Sequence, residues 1–292
     1  MSQNQRNVGI ALLLLSALVF STAGLFTKGV SANAWDVIFW RAFFAAIFTT
    51  GFIYWRGRSK SEFLHMGKVG WIVAAIGASG TAAFIPAFKL TSVANVSLIY
   101  ASAPLLAAIF AWIWIKETMS WPAVFGCAAA FIGVLFIVGG SLKSINLQGD
   151  MLALWMTIVL AAMMVIYRKF PETPSAGPSV VSCLFLLPPA IYFSNPFMVS
   201  LTEIAILSAF GLVFAFASVT LVEGAKRLPS GETALLSSLE APFAIILAWI
   251  ILFEAPPLPT ILGGVLIMVG VFASQARNIK WKGEGKWHPQ QN

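Results

Sequence analysis

The apolar residues of this chain neither alternate nor recur every third or fourth position. They run in near-continuous blocks of about 17–25 residues, the length that crosses a bilayer's hydrocarbon core as a helix. Ten blocks are predicted as spans: Val8–Val30, Ala34–Trp55, Val69–Leu90, Val93–Ile115, Pro122–Gly139, Gly149–Arg168, Ser179–Phe193, Leu201–Val222, Gly231–Phe253 and Leu258–Ala276. The seventh is the shortest, with Pro188 and Pro189 near its end. The first reads as a retained span. Ala32-Asn33-Ala34 resembles a cleavage site, but the apolar run before it is too long for a signal peptide and Arg6 is the single basic residue ahead of that run. The pattern predicts an all-α integral membrane protein.

The blocks repeat. Adding 138 carries Ala87, Leu90, Ser92, Ala103 and Pro104 onto Ala225, Leu228, Ser230, Ala241 and Pro242, and Lys89 onto Arg227. Adding 137 then carries Glu117, Pro122, Gly126 and Gly133 onto Glu254, Pro259, Gly263 and Gly270. In both copies a proline interrupts a long apolar segment, an acid closes it, and a second proline opens the next. The opening spans match more weakly: adding 140 carries Gly9, Leu12 and Leu14 onto Gly149, Leu152 and Leu154. Five spans per half is odd, so the second half enters the membrane from the opposite side. The expected division is residues 1–140 as one five-helix repeat, 141–276 as its inverted-topology partner, and 277–292 as a polar tail.

Composition agrees with the pattern: 59% of the 292 residues are hydrophobic and 10% charged, against roughly 25% charged in soluble domains. With the N-terminus in the cytoplasm, fourteen of the 18 Lys and Arg fall in cytoplasmic segments and three, Lys28, Lys89 and Lys143, on the other side. That asymmetry places both termini in the cytoplasm and the chain as a multi-pass protein of a plasma membrane, the inner one in a bacterium. It also accounts for the net charge of +7 as a basic face toward anionic lipid, with no nucleic-acid partner required. Trp35, Trp55, Trp71, Trp114 and Trp121 lie near span ends, where indole settles at the headgroups. Gly126 and Gly133, and likewise Gly263 and Gly270, share a helix face. Such faces pack helices closely, either the fifth against the tenth span or one subunit against another, so a monomer and a homodimer are both open. Cys127 and Cys183 lie inside spans and read as small packing residues, not as a disulfide or metal site.

The motifs resemble the drug/metabolite transporter superfamily, in particular its EamA-type ten-span members, over nearly the whole chain. SALVFSTAGLFTKG looks like that family's first span, Arg41 after Asp36 its second, and GDMLALWMTIVLAAMMVIYRK its sixth. SAPLLAAIFAWIWIKE and LEAPFAIILAWIILFE follow its fourth and ninth spans, with Lys116 and Phe253 where the family has glycine before the closing acid. Leu239-Glu240-Ala241-Pro242 carries an alanine more than the family's frequent Leu-Glu-Pro. Within the superfamily the chain is similar to YddG-type exporters of aromatic amino acids. The resemblance implies alternating access around a midplane cavity.

The residues themselves give the candidate chemistry. Pro104 and Pro242 deny a backbone hydrogen bond to the carbonyls of Tyr100 and Ser238. Repeat-related breaks of this kind point to a substrate site at mid-membrane; a tolerated kink is the plain alternative. Glu240 is the deepest charge, and a carboxylate at that depth is costly, about 2.5–3.5 kcal/mol on insertion scales. It is expected to meet a substrate ammonium or carry a proton, or else to serve as a cap or pair with Arg41. Arg41 is otherwise expected to pair with Asp36 near the outer face, and Glu223 to be solvated or paired with Lys226. Phe20, Phe84, Tyr100, Trp155, Met163 and Phe216 lie at mid-depth and would line a pocket, with Ser79, Ser218, Ser237 and Ser238 supplying its few polar contacts; ordinary packing is the competing reading for each. His65 and His288 fall outside the spans. No cluster of nucleophiles, acids or histidines at one depth supports a membrane enzyme, no ring of like charge supports a channel, and no GxxxxGK[ST] supports ATP as the driver. The expected function is export of small amphipathic metabolites, amino acids and especially aromatic ones leading, nucleotide sugars or drug-like compounds following. The partners are that substrate and the lipid bilayer, with no cofactor and no metal.

Overall fold

The computed structural model describes residues 3–116, 121–141, 146–225, 227–228, 233 and 236–283. Among them there are helices and connecting turns and no strands. The second, third, fifth, sixth, seventh, eighth and tenth spans are the single helices Ala34–Trp55, Gly67–Leu90, Trp121–Ser141, Asn146–Lys169, Ala176–Phe193, Leu201–Ala225 and Leu258–Gly283. Local chemistry sets several starts. The Asn33 side chain accepts from the amides of Trp35 and Asp36, and Ser92 from that of Asn95, 2.9 Å away, each satisfying donors a helix start leaves open. The Glu62 carboxylate does the same from a distance for the seventh span, accepting from the amides of Ala176 and Gly177 at 3.1 and 2.9 Å. That span begins three residues before the predicted Ser179, and Pro188 and Pro189 lie inside an intact helix.

Three spans are broken. The fourth consists of Val93–Ala101 and Ala103–Trp114, separated at Ser102 with Pro104 in the first turn of the second piece. The ninth turns at Ser238 and Leu239 before Glu240–Leu252 begins, with Pro242 in that first turn; its predicted start, Gly231, lies outside the described residues, as do Glu117 and Ser230. The first span consists of Gln3–Phe20 and Ala23–Lys28. No proline causes this third break. The hydroxyls of Ser21 and Thr22 donate to the carbonyls of Leu18 and Val19 at 2.6 Å each, drawing the chain into a turn between the two pieces. At the far ends of the fourth and ninth spans Lys116 and Phe253 sit at φ 60° and 55°, the left-handed conformation that glycine adopts most cheaply.

The packing is two-fold. The third span lies on the sixth and the eighth on the first; the third lies on the seventh and the eighth on the second; the fourth lies on the sixth and the ninth on the first. Exchanging each span with the one five later converts each of these pairs into its mate, and the second–seventh, fourth–ninth and fifth–tenth contacts map onto themselves. The inversion is visible in the glycines. A Cβ on Gly133 would lie 2.5 Å from the Gly263 carbonyl oxygen, and one on Gly270 2.7 Å from that of Gly126. Rising numbers on the fifth span meet falling numbers on the tenth, so these repeat mates run antiparallel with their backbones in contact. This face is filled from within the chain.

One apolar core joins the second, third, seventh and eighth spans around Ile38, Ile85 and Leu207, and another joins the third to sixth, ninth and tenth around Ile99, Ile137 and Ile267. Trp121, Phe125, Phe131 and Val265 project outward, as helices facing lipid require. Asp150 is fully buried, accepting from Thr91 Oγ1 at 2.7 Å and Asn95 Nδ2 at 3.0 Å, while Asn95 Oδ1 accepts from Thr260 at 2.5 Å. This network fastens the starts of the fourth, sixth and tenth spans together. Lys28 and Glu254 form an ion pair of 2.7 Å between the ends of the first and ninth spans.

Candidate functional site

The three broken spans converge. Where their interrupted helices meet the third span they leave a cavity lined by Phe20, Ser21, Ala23 and Gly24 of the first, Phe84 and Phe88 of the third, Ser97 and Tyr100 of the fourth, and Glu240, Ala241 and Ala244 of the ninth. The free space at its centre is about 10 Å³, about what one water molecule needs. Its walls are mostly rings: Phe84 stands edge-on to Phe88 at 4.8 Å between centroids and lies 5.5 Å from Tyr100.

Glu240 is the charge in this wall. It opens the second half of the ninth span, where the unshared amides of a helix start favour an acid. Its carboxylate makes no hydrogen bond or ion pair with any described residue, so it neither caps the helix nor pairs with Arg41. Its repeat mate, 138 positions earlier, is Ser102, whose hydroxyl turns back onto the Ile99 carbonyl at 2.6 Å.

Of the residues singled out by depth, Phe20, Phe84, Tyr100 and Glu240 come together in the cavity, and Pro104 and Pro242 sit just past the two breaks that shape it. Others do not reach it. Trp155 and Phe216 are 49% and 47% exposed on the outer surface of the bundle. They have the expected depth but turn away from the cavity. Met163 packs beside Gly77 on the third span. Ser79 and Ser218 donate to the carbonyls of Ile76 and Phe214, hydroxyls satisfied by their own helices. Ser237 is half-buried and Ser238 buried next to the break, and neither lines the cavity.

The Arg41 expectation is corrected too. Asp36 accepts from Ser194 at 2.5 Å instead. Arg41 is 4% exposed and lies over the rings of Phe214 and Phe210, at 4.5 and 5.5 Å from their centroids. Glu223 pairs with Arg56 and Arg227 at 3.1 and 3.0 Å; Lys226 lies outside the described residues. The sequence reading missed Phe88 and Ser97. They sit one helical turn from Phe84 and Tyr100, on the same faces, and extending each candidate by one turn would have found them.

Ten helical spans, paired as inverted repeats around a ring-lined cavity, are the architecture of a multi-pass membrane protein, and the family it matches makes it a transporter. The comparisons agree. The chain matches the EamA-like transporter family over residues 7–139 and again over 147–274, and it belongs to that family. It is 27% identical to the uncharacterized transporter YyaM of Bacillus subtilis, over 92% of this chain and 94% of that protein. It is 27% identical to solute carrier family 35 member G1 of Mus musculus, over 90% and 76%. It is 25% identical to an S-adenosylmethionine uptake transporter of Rickettsia prowazekii, over 89% and 90%. A crystal structure 20% identical in sequence covers 93% of this chain and 98% of its own with a TM-score of 0.65, a likeness of fold.

Proposed function

We propose that the chain exports small amphipathic metabolites with an amine and a flat apolar body, aromatic amino acids foremost, by alternating access across a bacterial inner membrane with both termini in the cytoplasm. The observation that carries this reading is the unpartnered Glu240 carboxylate in a wall of aromatic rings. A half-buried carboxylate at membrane depth without a partner is costly, and a substrate ammonium would offset that cost while the substrate's ring lies against Phe20, Phe84, Phe88 and Tyr100. Ring pairs in offset or edge-on geometry add about 0.5–1.5 kcal/mol beyond burial, a modest gain that suits a protein that must release what it binds. The cavity's small volume fits a contracted stage of the cycle: an amino acid enters only when the half-helices of the first, fourth and ninth spans part.

A second reading shares this chemistry. S-adenosylmethionine also joins an amine and a positive centre to a flat ring, and relatives carry the name of its uptake transporters. A nucleotide sugar fits less well, since its phosphates would meet the Glu240 carboxylate. Purified protein in liposomes, offered labelled tryptophan, phenylalanine, leucine, lysine, S-adenosylmethionine and a nucleotide sugar, tests the proposal. Saturable tryptophan or phenylalanine transport supports it, S-adenosylmethionine alone moves the substrate to the second reading, and the nucleotide sugar alone overturns both. Reporter fusions after Gln5 and Gln290 test the orientation, and a periplasmic signal from either would sink it.

A further inference from the structure

Arg41, among the described residues, is a second charge without an ion-pair partner, and unlike Glu240 it is buried. Its side chain is almost wholly enclosed, Nε is buried without a hydrogen bond, and among the described residues no carboxylate lies within ion-pair distance of it. What holds it is stacking. Phe210 and Phe214, one turn apart on the eighth span, offer their ring faces to the guanidinium. Ring faces supply none of the strong acceptors that a guanidinium's N–H groups seek, and a planar anion matches that N–H fork. Gly211, between those rings, allows this approach: a Cβ there would meet the Arg41 carbonyl at 3.0 Å and the Ala45 amide at 2.8 Å.

Two rings separate this fork from the cavity. Phe214 packs edge-on against Phe20, 5.7 Å between centroids, and Phe20 is itself a wall of the cavity that holds Glu240. Phe20 is also the last residue before the break at Ser21 and Thr22, so the ring in the partition sits beside a place where the first span already bends.

We propose that Arg41 is the carboxylate-binding pole of the substrate site, reached when the Phe20–Phe214 pair swings aside, so that a zwitterion is held between Arg41 and Glu240. This rests on the reading of Glu240 as the ammonium pole. A carboxylate against a guanidinium forms charge-assisted paired hydrogen bonds, which would supply the partner that Arg41 lacks. The two poles select for substrates with both charges over simple amines or simple acids.

The test separates the poles by using three ligands with one ring system: tryptophan, tryptamine without the carboxylate, and indole-3-propionate without the amine. Binding is measured by calorimetry on the purified full chain, its Arg41→Met and Arg41→Lys variants, and Glu240→Gln. The tryptophan-to-tryptamine affinity ratio is expected to fall by about tenfold or more in Arg41→Met, the loss of one charge-assisted contact, and to recover in part in Arg41→Lys. In Glu240→Gln the tryptophan-to-indole-3-propionate ratio falls instead. Thermal stability distinguishes a merely structural arginine: removing an unpaired buried charge while keeping an apolar stem over the rings leaves Arg41→Met as stable as the parent or more so. An unchanged ratio in Arg41→Met, or a uniform loss of all three ligands with a lowered melting temperature, overturns the proposal. Indole-3-propionate binding that depends on Arg41, with no tryptamine binding, supports the arginine pole and overturns the reading of Glu240. No binding of any of the three overturns both.

Discussion

The fourth and ninth spans use one backbone device to different ends. Each is cut near its middle, each places a proline in the first turn after the cut, and each ends on a residue with positive φ. At the cut the fourth span has Ser102, which satisfies itself on its own helix, whereas the ninth has Glu240, which bonds to no described residue and faces the cavity. The repeat thus supplies two matching interruptions, and a single side chain places a carboxylate at one of them. The first span widens the asymmetry: it breaks at Ser21 and Thr22, while its mate, the sixth, runs uncut from Asn146 to Lys169.

The sharpest way to break this comparison is to make the two cuts alike. Glu240→Gln is expected to lower tryptophan transport into liposomes by about ten- to hundredfold, the loss of one charge-assisted contact. Ser102→Ala removes a neutral bond turned back on the helix and changes it by about twofold or less. Equal losses would place both residues in the same role. Next come the prolines. Pro242→Ala and Pro104→Ala are each expected to lower transport by roughly tenfold without lowering thermal stability, because a first-turn proline replaces an amide that has no intrahelical partner, while alanine leaves the helix free to close over the break. A parallel fall in stability and transport would return the prolines to packing.

A smaller effect concerns the span ends. Phe253→Gly and Lys116→Gly relieve a left-handed conformation costing about 1–2 kcal/mol in residues with a Cβ, so each should raise the melting temperature, measured in detergent, with transport retained. A fall at either position would show that its side chain contributes more than its backbone strain removes. The smallest expected effect is at the lipid face. Trp155→Ala and Phe216→Ala should leave tryptophan transport within about twofold, as surface changes do. A large loss from either would extend the substrate path beyond the cavity described.

These cases also show what the sequence made legible. Span number, the repeat and its inversion follow from block length and from spaced prolines, which are properties of a local stretch. Depth follows from counting along a helix, which is why Phe20, Phe84, Tyr100 and Glu240 were found. Facing does not follow. A span between lipid and a mostly apolar core is hydrophobic all round, so nothing in the sequence turns Trp155 or Phe216 outward or Phe88 inward. The break in the first span was equally hidden, because Ser21 and Thr22 become helix-breakers only through the carbonyls they happen to choose. Arg41 was read by its nearest acid in sequence, whereas its surroundings are two rings brought over from the eighth span.

The strip where Gly126 and Gly133 meet Gly263 and Gly270 has a further meaning. Two backbones that touch have no side chains between them to repack, so that contact admits one fit only. An alternating mechanism needs a stationary part as much as moving ones, and this seam is suited to be the axle. Under the proposed mechanism the travel would fall to the short lengths of chain at Ser21, Ser102 and Ser238, each the width of a single turn. Small rotations there, carried along half-helices of the first, fourth and ninth spans, would open the cavity to one side of the membrane while the fifth and tenth spans stand still in the lipid.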